Sequence, residues 1–397
     1  MNLAIRMSKI QESMTLALSA KAKKMKREGI DVISLSAGEP DFATPDNIKN
    51  KAIEALSKNF THYTVVSGIP ELKEEIVKKF KRESGVSYTL DEVIVSTGAK
   101  QALYNAIFAL IGPGNEVIIP TPYWISYRDQ VIMAEGTPVF LDTNEKDGFQ
   151  FSVDDVVSKI TPNTKAILLN SPNNPTGVIY DEEIIKDLIE LALKHDFYII
   201  SDEIYEKISY EGINVKSIVS LNPEIKEKVV IINGFSKAYA MTGWRLGYAV
   251  GPKPIIKAMN KIQGQVTSCP NSITQWAGVE ALSGPQDTVS SMRDEFEIRR
   301  NFVMERIDSI PNVSYVKPKG AFYIFLNISS YFGKRYKDYI VEDSLSMSEY
   351  LLNQVKIALV PGSAFGKEGY LRLSYATDRD TLSSALDRLE EGLSLLK

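Results

Sequence analysis

The chain has 397 residues, of which 44% are hydrophobic and 24% are charged. This composition is typical of a globular protein, and the length favours two domains. The net charge of −4, without a long block of like charges, argues against binding to nucleic acid. No apolar stretch approaches the roughly 20 residues of a membrane span, so we expect no membrane contact.

The rare residue types restrict the chemistry. The sequence contains one cysteine, Cys269, and two histidines, His62 and His195. An intrachain disulfide is therefore impossible, and a metal site built from histidine and cysteine is effectively excluded. With no apolar N-terminal signal either, a reducing cytoplasm is the expected location. The densest basic stretch, residues 21–27 (KAKKMKR), fits a solvated helix face.

From about residue 90 to residue 250 the chain repeats one unit. A short apolar strand comes first, then a polar or glycine-rich turn, then a helical stretch such as residues 102–110. Continuous apolar strands that alternate with helices predict an α/β fold whose mostly parallel sheet is buried on both faces. The predicted strands cover residues 92–96, 116–119, 165–169, 197–200 and 229–232.

The pattern changes near residue 286. A long charged helix is predicted at residues 290–308, followed by strands at 321–326, 357–360 and 370–374 and a terminal helix after Asp378. This predicts a smaller α+β domain. We therefore divide the chain into an N-terminal segment, 1–45, that packs with the small domain, a large domain, 46–285, and a small domain, 286–397.

A lysine lies at the end of the predicted strand 229–232. The chain leaves this strand through Asn233 and Gly234 and reaches Lys237, and Arg245 follows eight residues later. Open α/β sheets bind ligands at the carboxyl ends of their strands. Partial burial and a nearby cation would lower the pKa of Lys237, and a neutral amine can form a Schiff base. The alternative is a solvated surface lysine.

Other predicted strands also end in polar groups. Gly98, Ala99 and Lys100 open a helix, where backbone N–H groups favour a phosphate, although an ordinary strand-to-helix turn would look the same. Asp202 follows a buried strand and could hold a protonated pyridine nitrogen, or simply cap a helix. Tyr205, three residues later, could donate to the same ring.

Three further residues each have both a functional and a purely structural interpretation. Asn174 lies in a Pro-Thr-Gly turn, which could be purely structural. Trp124 follows a strand end and could stack on a planar cofactor or belong to the core. Arg372 alternates with leucines in a strand, and arginine is the usual bidentate partner of a carboxylate, although a surface arginine fits the same pattern.

Taken together, these motifs resemble the class I pyridoxal-phosphate aminotransferases of fold type I along nearly the whole chain. Residues 98–104 (GAKQALY) carry a closer resemblance to the Ib-type bacterial and archaeal aspartate aminotransferases, some of which also use prephenate. The matching segments are residues 37–42 (AGEPDF), 62–68, 98–100, 173–177, 201–205, 236–237 with Arg245, and 371–374 (LRLS).

The resemblance implies pyridoxal 5′-phosphate as cofactor and a role for each matching residue. Lys237 would hold the cofactor and move the proton, Asp202 would contact the pyridine nitrogen, and Trp124 would stack on the ring. Tyr205 and Asn174 would contact the ring oxygen. The phosphate would be bound by Gly98, Ala99, Arg245 and, from the neighbouring subunit, Tyr63, which implies a homodimer with shared active sites.

The same resemblance implies the substrates, L-aspartate and 2-oxoglutarate, exchanged by a ping-pong mechanism. Arg372 would bind the α-carboxylate with Asn174, Trp124 and the backbone at Gly38. Lys100 would face the distal carboxylate, with Ser13 and Thr15, or would be another phosphate ligand.

Two departures from the family pattern qualify these expectations. Gly234 stands where many relatives carry a phosphate-binding serine, and Gln11 stands where prephenate-using relatives carry a basic residue. An aromatic, alanine-like or prephenate preference, or a lyase reaction, stays open within the same fold. A nicotinamide dehydrogenase is disfavoured because no Gly-x-Gly-x-x-Gly follows the strands, and a non-catalytic binding module because Lys237 and Asp202 are intact.

Overall fold

A computed structural model describes residues 5–10 and 14–397. Its strands are β1 Ile33–Ser34, β2 Val93–Ser96, β3 Glu116–Thr121, β4 Thr137–Asp142, β5 Thr164–Asn170, β6 Tyr198–Asp202, β7 Val229–Gly234, β8 Gly247–Val250, β9 Tyr323–Asn327, β10 Arg335–Tyr336, β11 Tyr339–Ile340, β12 Ile357–Ala358, β13 Val360–Pro361 and β14 Tyr370–Ser374.

The helices surround these strands. They are α1 Met14–Arg27, α2 Asp46–Ser57, α3 Pro70–Ser84, α4 Ala99–Leu110, α5 Ser126–Met133, α6 Val153–Val157, α7 Glu182–His195, α8 Ile218–Leu221, α9 Lys253–Val266, α10 Ser272–Ser283, α11 Asp287–Asp308, α12 Ser344–Gln354 and α13 Arg379–Ser394. Short 3₁₀ turns occur at Ile5–Ser8, Leu90–Glu92, Glu145–Asp147, Pro223–Lys228, Ser329–Tyr331 and Gly362–Phe365.

The central sheet has seven strands in the order β2-β8-β7-β6-β5-β3-β4. Strand β8 pairs antiparallel with both of its neighbours, whereas β7, β6, β5, β3 and β4 pair in parallel. Every residue of β2, β7 and β8 is buried, as expected for a sheet covered by helices on both faces. The prediction of an α/β fold with a mostly parallel sheet is confirmed.

The C-terminal part forms a three-stranded antiparallel sheet in the order β13-β14-β9. Its core is separate from the two clusters that cover the faces of the central sheet, and it is filled by side chains from β9, β14, α12 and α13. Strand β1 pairs in parallel with β12, so the N-terminal segment is joined to this C-terminal part by backbone hydrogen bonds. The domain boundaries at 45/46 and 285/286 stay a prediction.

Among the described residues, no helix is long and apolar enough to cross a membrane. The described part of the chain likewise contains no group of three or more His, Cys, Asp or Glu side chains arranged to hold a metal ion.

Candidate active site

A cavity of about 700 Å³ lies where the carboxyl ends of the parallel strands meet β14 and α1. Ten of the residues singled out in the sequence line it, and Gly98 adjoins it directly before Ala99. The ten are Gly38, Ala99, Lys100, Trp124, Asn174, Asp202, Tyr205, Lys237, Arg245 and Arg372. Residues from seven separate segments of the chain therefore share one site.

Lys237 follows β7 and turns its amine into the cavity, where it is partly buried. Its Nζ donates a hydrogen bond to the backbone carbonyl of Gly38. The pKa of Lys237 is lowered to about 8, mainly by burial and in part by Arg372 and Arg245, whereas Glu39 acts in the opposite direction. The surface-lysine alternative is wrong, because the side chain lines the cavity.

Asp202 is the last residue of β6 and is only 4% exposed. Its Oδ2 accepts a hydrogen bond of 2.7 Å from the hydroxyl of Tyr127, and its Oδ1 accepts one of 3.2 Å from the Ile204 N–H. Burial raises the pKa of Asp202 to about 6, while these hydrogen bonds oppose the rise. No α-helix begins at Asp202, so the helix-cap alternative is wrong.

Arg372 and Asn174 are hydrogen-bonded to each other. Arg372 Nη1 donates to Asn174 Oδ1 at 3.0 Å, and Nη2 donates to the Ser36 carbonyl at 2.7 Å. The guanidinium stacks over the Tyr323 ring at 4.4 Å. Its Nε is buried and has no partner among the described residues. Arg372 is 2% exposed, so the surface-arginine alternative is wrong.

The turn before α4 is held close to Arg245. Gly98 precedes this helix with φ +84°, and a Cβ added there would lie 2.6 Å from Arg245 Nη2. The positive φ favours glycine, whereas the close contact involves the flexible end of the Arg245 side chain. The first N–H groups of α4 and the Arg245 guanidinium are therefore neighbours, an arrangement suited to an anion.

Gly234, where many relatives of the resembled family carry a serine, is enclosed by backbone. A Cβ added there would lie 2.9 Å from Gly247 Cα and 3.0 Å from the Leu246 carbonyl oxygen. The close approach of β7 and β8 therefore favours glycine and leaves little room for a serine side chain.

Lys100 and Trp124 lie together at the mouth of the cavity. Lys100 Nζ lies 4.7 Å from the centre of the half-buried Trp124 ring. Partial burial lowers the pKa of Lys100, and Arg245 lowers it further. Among the described residues Lys100 makes no salt bridge, so its charge is available to a ligand.

Besides Gly98, the remaining predicted residues are Tyr63, Ser13 and Thr15. Tyr63 is 91% exposed and does not line the cavity. Ser13 lies outside the described residues, as does Gln11, and so does the side chain of Thr15, whose backbone belongs to α1.

Two buried tyrosines of the site escaped the sequence analysis. Tyr127 lies on α5 and holds Asp202. Tyr323 lies on β9, and its hydroxyl is 3.0 Å from the hydroxyl of Tyr205. Tyr127 lies only three residues after Trp124, and their ring centroids are 5.4 Å apart, so its position in the sequence was a usable signal. Nothing near Tyr323 in the sequence points to the site.

Comparisons with known proteins agree with this geometry. Residues 30–389 match the family model described as aminotransferase class I and II. An aspartate aminotransferase from Geobacillus stearothermophilus is 49% identical, with 98% of each chain covered. A probable aspartate/prephenate aminotransferase from Rickettsia bellii is 46% identical over 99% of each chain.

Among solved structures, the aspartate aminotransferase of Rhizobium meliloti superimposes with a TM-score of 0.96 at 44% identity over the whole of both chains. The sequence match, the shared fold and the lysine at the strand end agree with one another. The chain belongs to the class I and II aminotransferase family, whose cofactor is pyridoxal 5′-phosphate.

Proposed function

We propose that the chain transfers the amino group of L-aspartate to 2-oxoglutarate, giving oxaloacetate and L-glutamate by a ping-pong mechanism. The observation that carries the proposal is the presence in one cavity of a lysine with lowered pKa, Lys237, and two further cationic anchors, Arg372 and Lys100. A dicarboxylic substrate needs two cations, because each carboxylate must find a partner once it leaves water.

The residues present fit pyridoxal 5′-phosphate. The glycine turn at Gly98 and the Arg245 guanidinium would bind the phosphate, and the buried carboxylate of Asp202 would pair with the pyridine nitrogen. Lys237 would attach the cofactor, and Trp124 would stack on its ring. When bound, the cofactor supplies an electron sink that stabilises negative charge on the substrate α-carbon.

The proton transfer is assigned to Lys237. Because burial brings the pKa of this amine to about 8, its neutral form can accept the proton from the substrate α-carbon and would then donate it to the cofactor carbon that is bonded to the amino nitrogen. Asp202 remains an acceptor because Tyr127 and the Ile204 N–H donate to it. Tyr205 and Asn174 would orient the ring from the side of its oxygen.

The α-carboxylate of the substrate is assigned to Arg372. Stacking on Tyr323 and hydrogen bonds to Asn174 and Ser36 fix the guanidinium plane. Its Nε is buried and has no partner among the residues that the structure describes, so a carboxylate placed there would satisfy an otherwise costly donor. The backbone at Gly38 and the Trp124 ring would complete this side of the site.

The distal carboxylate is assigned to Lys100. This ammonium reaches the Trp124 ring rather than folding back to the turn that carries Gly98, which favours a substrate contact over a phosphate contact. The proposed help from Ser13 and Thr15 concerns side chains outside the described part of the chain.

A homodimer with shared active sites is part of the proposal. Tyr63 protrudes beside other exposed apolar side chains, Val65 at 62% and Val266 at 56% exposed. Two buried glutamines bind the residues after Tyr63: Gln263 donates to the Val66 carbonyl, and Gln275 donates to the side-chain oxygen Oγ1 of Thr64. An exposed tyrosine fits a residue that reaches the phosphate of a partner subunit. The single cysteine supports a cytoplasmic location.

A panel of amino donors with 2-oxoglutarate tests the proposal. We expect aspartate to give the highest kcat/KM, with alanine and aromatic amino acids well below it. Prephenate should be added as an acceptor, because the Rickettsia bellii relative is named for it. A higher kcat/KM for an uncharged donor than for aspartate would contradict the assignment of Lys100.

A further inference from the structure

Two lysines of α1 lie at the mouth of the catalytic cavity. Lys23 and Lys26 both line it, and their spacing of three residues places them on one face of the helix. Both are exposed, and neither makes a salt bridge within the described part of the chain. Lys24, on another face, lies 3.9 Å from Glu28 and does not line the cavity.

Helix α1 is attached firmly enough to hold these charges in place. Ala22, beside Lys23, is 1% exposed and belongs to a small apolar cluster with Val32, Leu352 and Ala358. The lysines are therefore presented by a helix that packs on the C-terminal part, which also carries Arg372.

The charge of the cavity lining is strongly unbalanced. Its acidic side chains are Glu39 and Asp202, and Asp202 is buried. Its cationic side chains are Lys23, Lys26, Lys100, Lys237, Arg245 and Arg372. A bound cofactor phosphate would be paired with Arg245 and the start of α4, which leaves the outer cations to face solvent. Clefts lined by one sign of charge attract ligands of the opposite sign.

We infer that Lys23 and Lys26 steer dicarboxylate substrates into the cavity and so raise their association rates. This inference rests on the proposed function. It predicts an effect graded by ligand charge: largest for 2-oxoglutarate and oxaloacetate with two negative charges, smaller for aspartate with one, and near zero for alanine. Because both ammonium groups are exposed, they act on the approach of the ligand and little on the bound state.

The test compares two double variants that remove the same charge from the same helix. Lys23→Gln/Lys26→Gln removes the pair that faces the cavity, and Lys21→Gln/Lys24→Gln removes two exposed lysines that do not line it. At about 0.1 M salt the Debye length is ~10 Å, similar to the helix diameter, so charge on the far face is largely screened. Glutamine keeps the long stem and the helix propensity of lysine.

Stopped-flow absorbance of the bound cofactor reports the binding of maleate, a dicarboxylate without an amino or oxo group, to the holoenzyme. We expect the cavity-facing variant to lower the association rate constant roughly twofold to fivefold, a modest part of the ~10–10³-fold that steering can supply. The dissociation rate should change little, and the difference should vanish at ~1 M salt, where the Debye length is ~3 Å.

Equal association rates for the two double variants, or a loss that appears only in the dissociation rate, would overturn the inference. The same holds if kcat/KM falls as much for alanine as for 2-oxoglutarate. If the wild-type enzyme binds maleate and transaminates aspartate, but the two double variants have equal association rates, only the steering inference is refuted. A wild-type enzyme that does neither refutes the proposed function as well.

Discussion

The hydroxyl of Tyr127 should keep the buried Asp202 carboxylate ionised, and the Tyr127→Phe variant isolates that effect. The hydroxyl donates to Asp202 Oδ2 at 2.7 Å, and both side chains are almost fully buried. A hydrogen bond to an ionised group contributes about 1.5–3 kcal/mol, and one between neutral groups about 0.5–1.5 kcal/mol. The substitution should therefore lower the free energy of unfolding by about 1 kcal/mol more at a pH where Asp202 is ionised than at a pH where it is protonated.

The pH window follows from the pKa of Asp202, which burial raises from 3.8 to about 6. Between these values the folded protein holds more protons than the unfolded chain, so this group makes stability fall as the pH rises. In Tyr127→Phe the pKa of Asp202 should rise further, by about 0.7 of a pH unit for the ~1 kcal/mol above. The additional loss of unfolding free energy in Tyr127→Phe is thus absent at pH 5 and complete near pH 8.

Urea unfolding of the cofactor-free protein, at one protomer concentration and at pH 5 and pH 8, measures this difference. Tyr375→Phe is the matched control, because Tyr375 is equally buried, but within the described part of the chain its hydroxyl hydrogen-bonds only with the Tyr210 hydroxyl and the Ala321 carbonyl. The loss of unfolding free energy in this control variant should be the same at both pH values. A pH-independent loss in Tyr127→Phe would refute the role of the hydroxyl.

Three further substitutions test other parts of the site. Arg372→Lys should raise KM for every amino acid and 2-oxo acid, by the equivalent of about 2–3 kcal/mol, because lysine lacks the planar fork of arginine. If only dicarboxylic substrates bind less well, Arg372 contacts the side-chain carboxylate instead. Lys100→Ala should lower kcat/KM more for aspartate than for alanine, by the equivalent of about 1–3 kcal/mol, and should leave the cofactor affinity nearly unchanged. Equal losses of kcat/KM for the two donors, together with loss of cofactor, would instead indicate that Lys100 binds the phosphate. Mixing Tyr63→Phe with Lys237→Ala subunits should restore one good site per mixed dimer, and activity no higher than that of the parents would argue against shared sites.

The buried strands of the central sheet could be predicted from sequence because burial on both faces leaves a continuous apolar run. The five runs correspond to β2, β3, β5, β6 and β7. Strands β4 and β8 were missed for different reasons. The edge strand β4 is only partly buried and contains Pro138. Strand β8 is short and begins at Gly247, two residues after Arg245.

The site was predictable where a residue acts from the end of its own strand. Lys237 and Asp202 follow β7 and β6 directly, so the sheet alone brings them to one edge. Tyr323 was not predictable, because it belongs to the separate C-terminal sheet and meets Tyr205, which is 118 residues earlier, only in the folded chain. The burial of Arg372 was equally hidden, since its alternation with leucines is also the pattern of a half-exposed strand.

The central claim is that Lys237 holds the cofactor at the end of β7. Borohydride reduction of the purified holoenzyme, followed by peptide mass mapping, tests it most directly, because reduction makes a lysine-bound cofactor permanent. The account predicts the mass of reduced pyridoxyl phosphate on the peptide that contains Lys237, and its loss in Lys237→Ala. The same mass on Lys100 or any other lysine, or on none, would contradict the account.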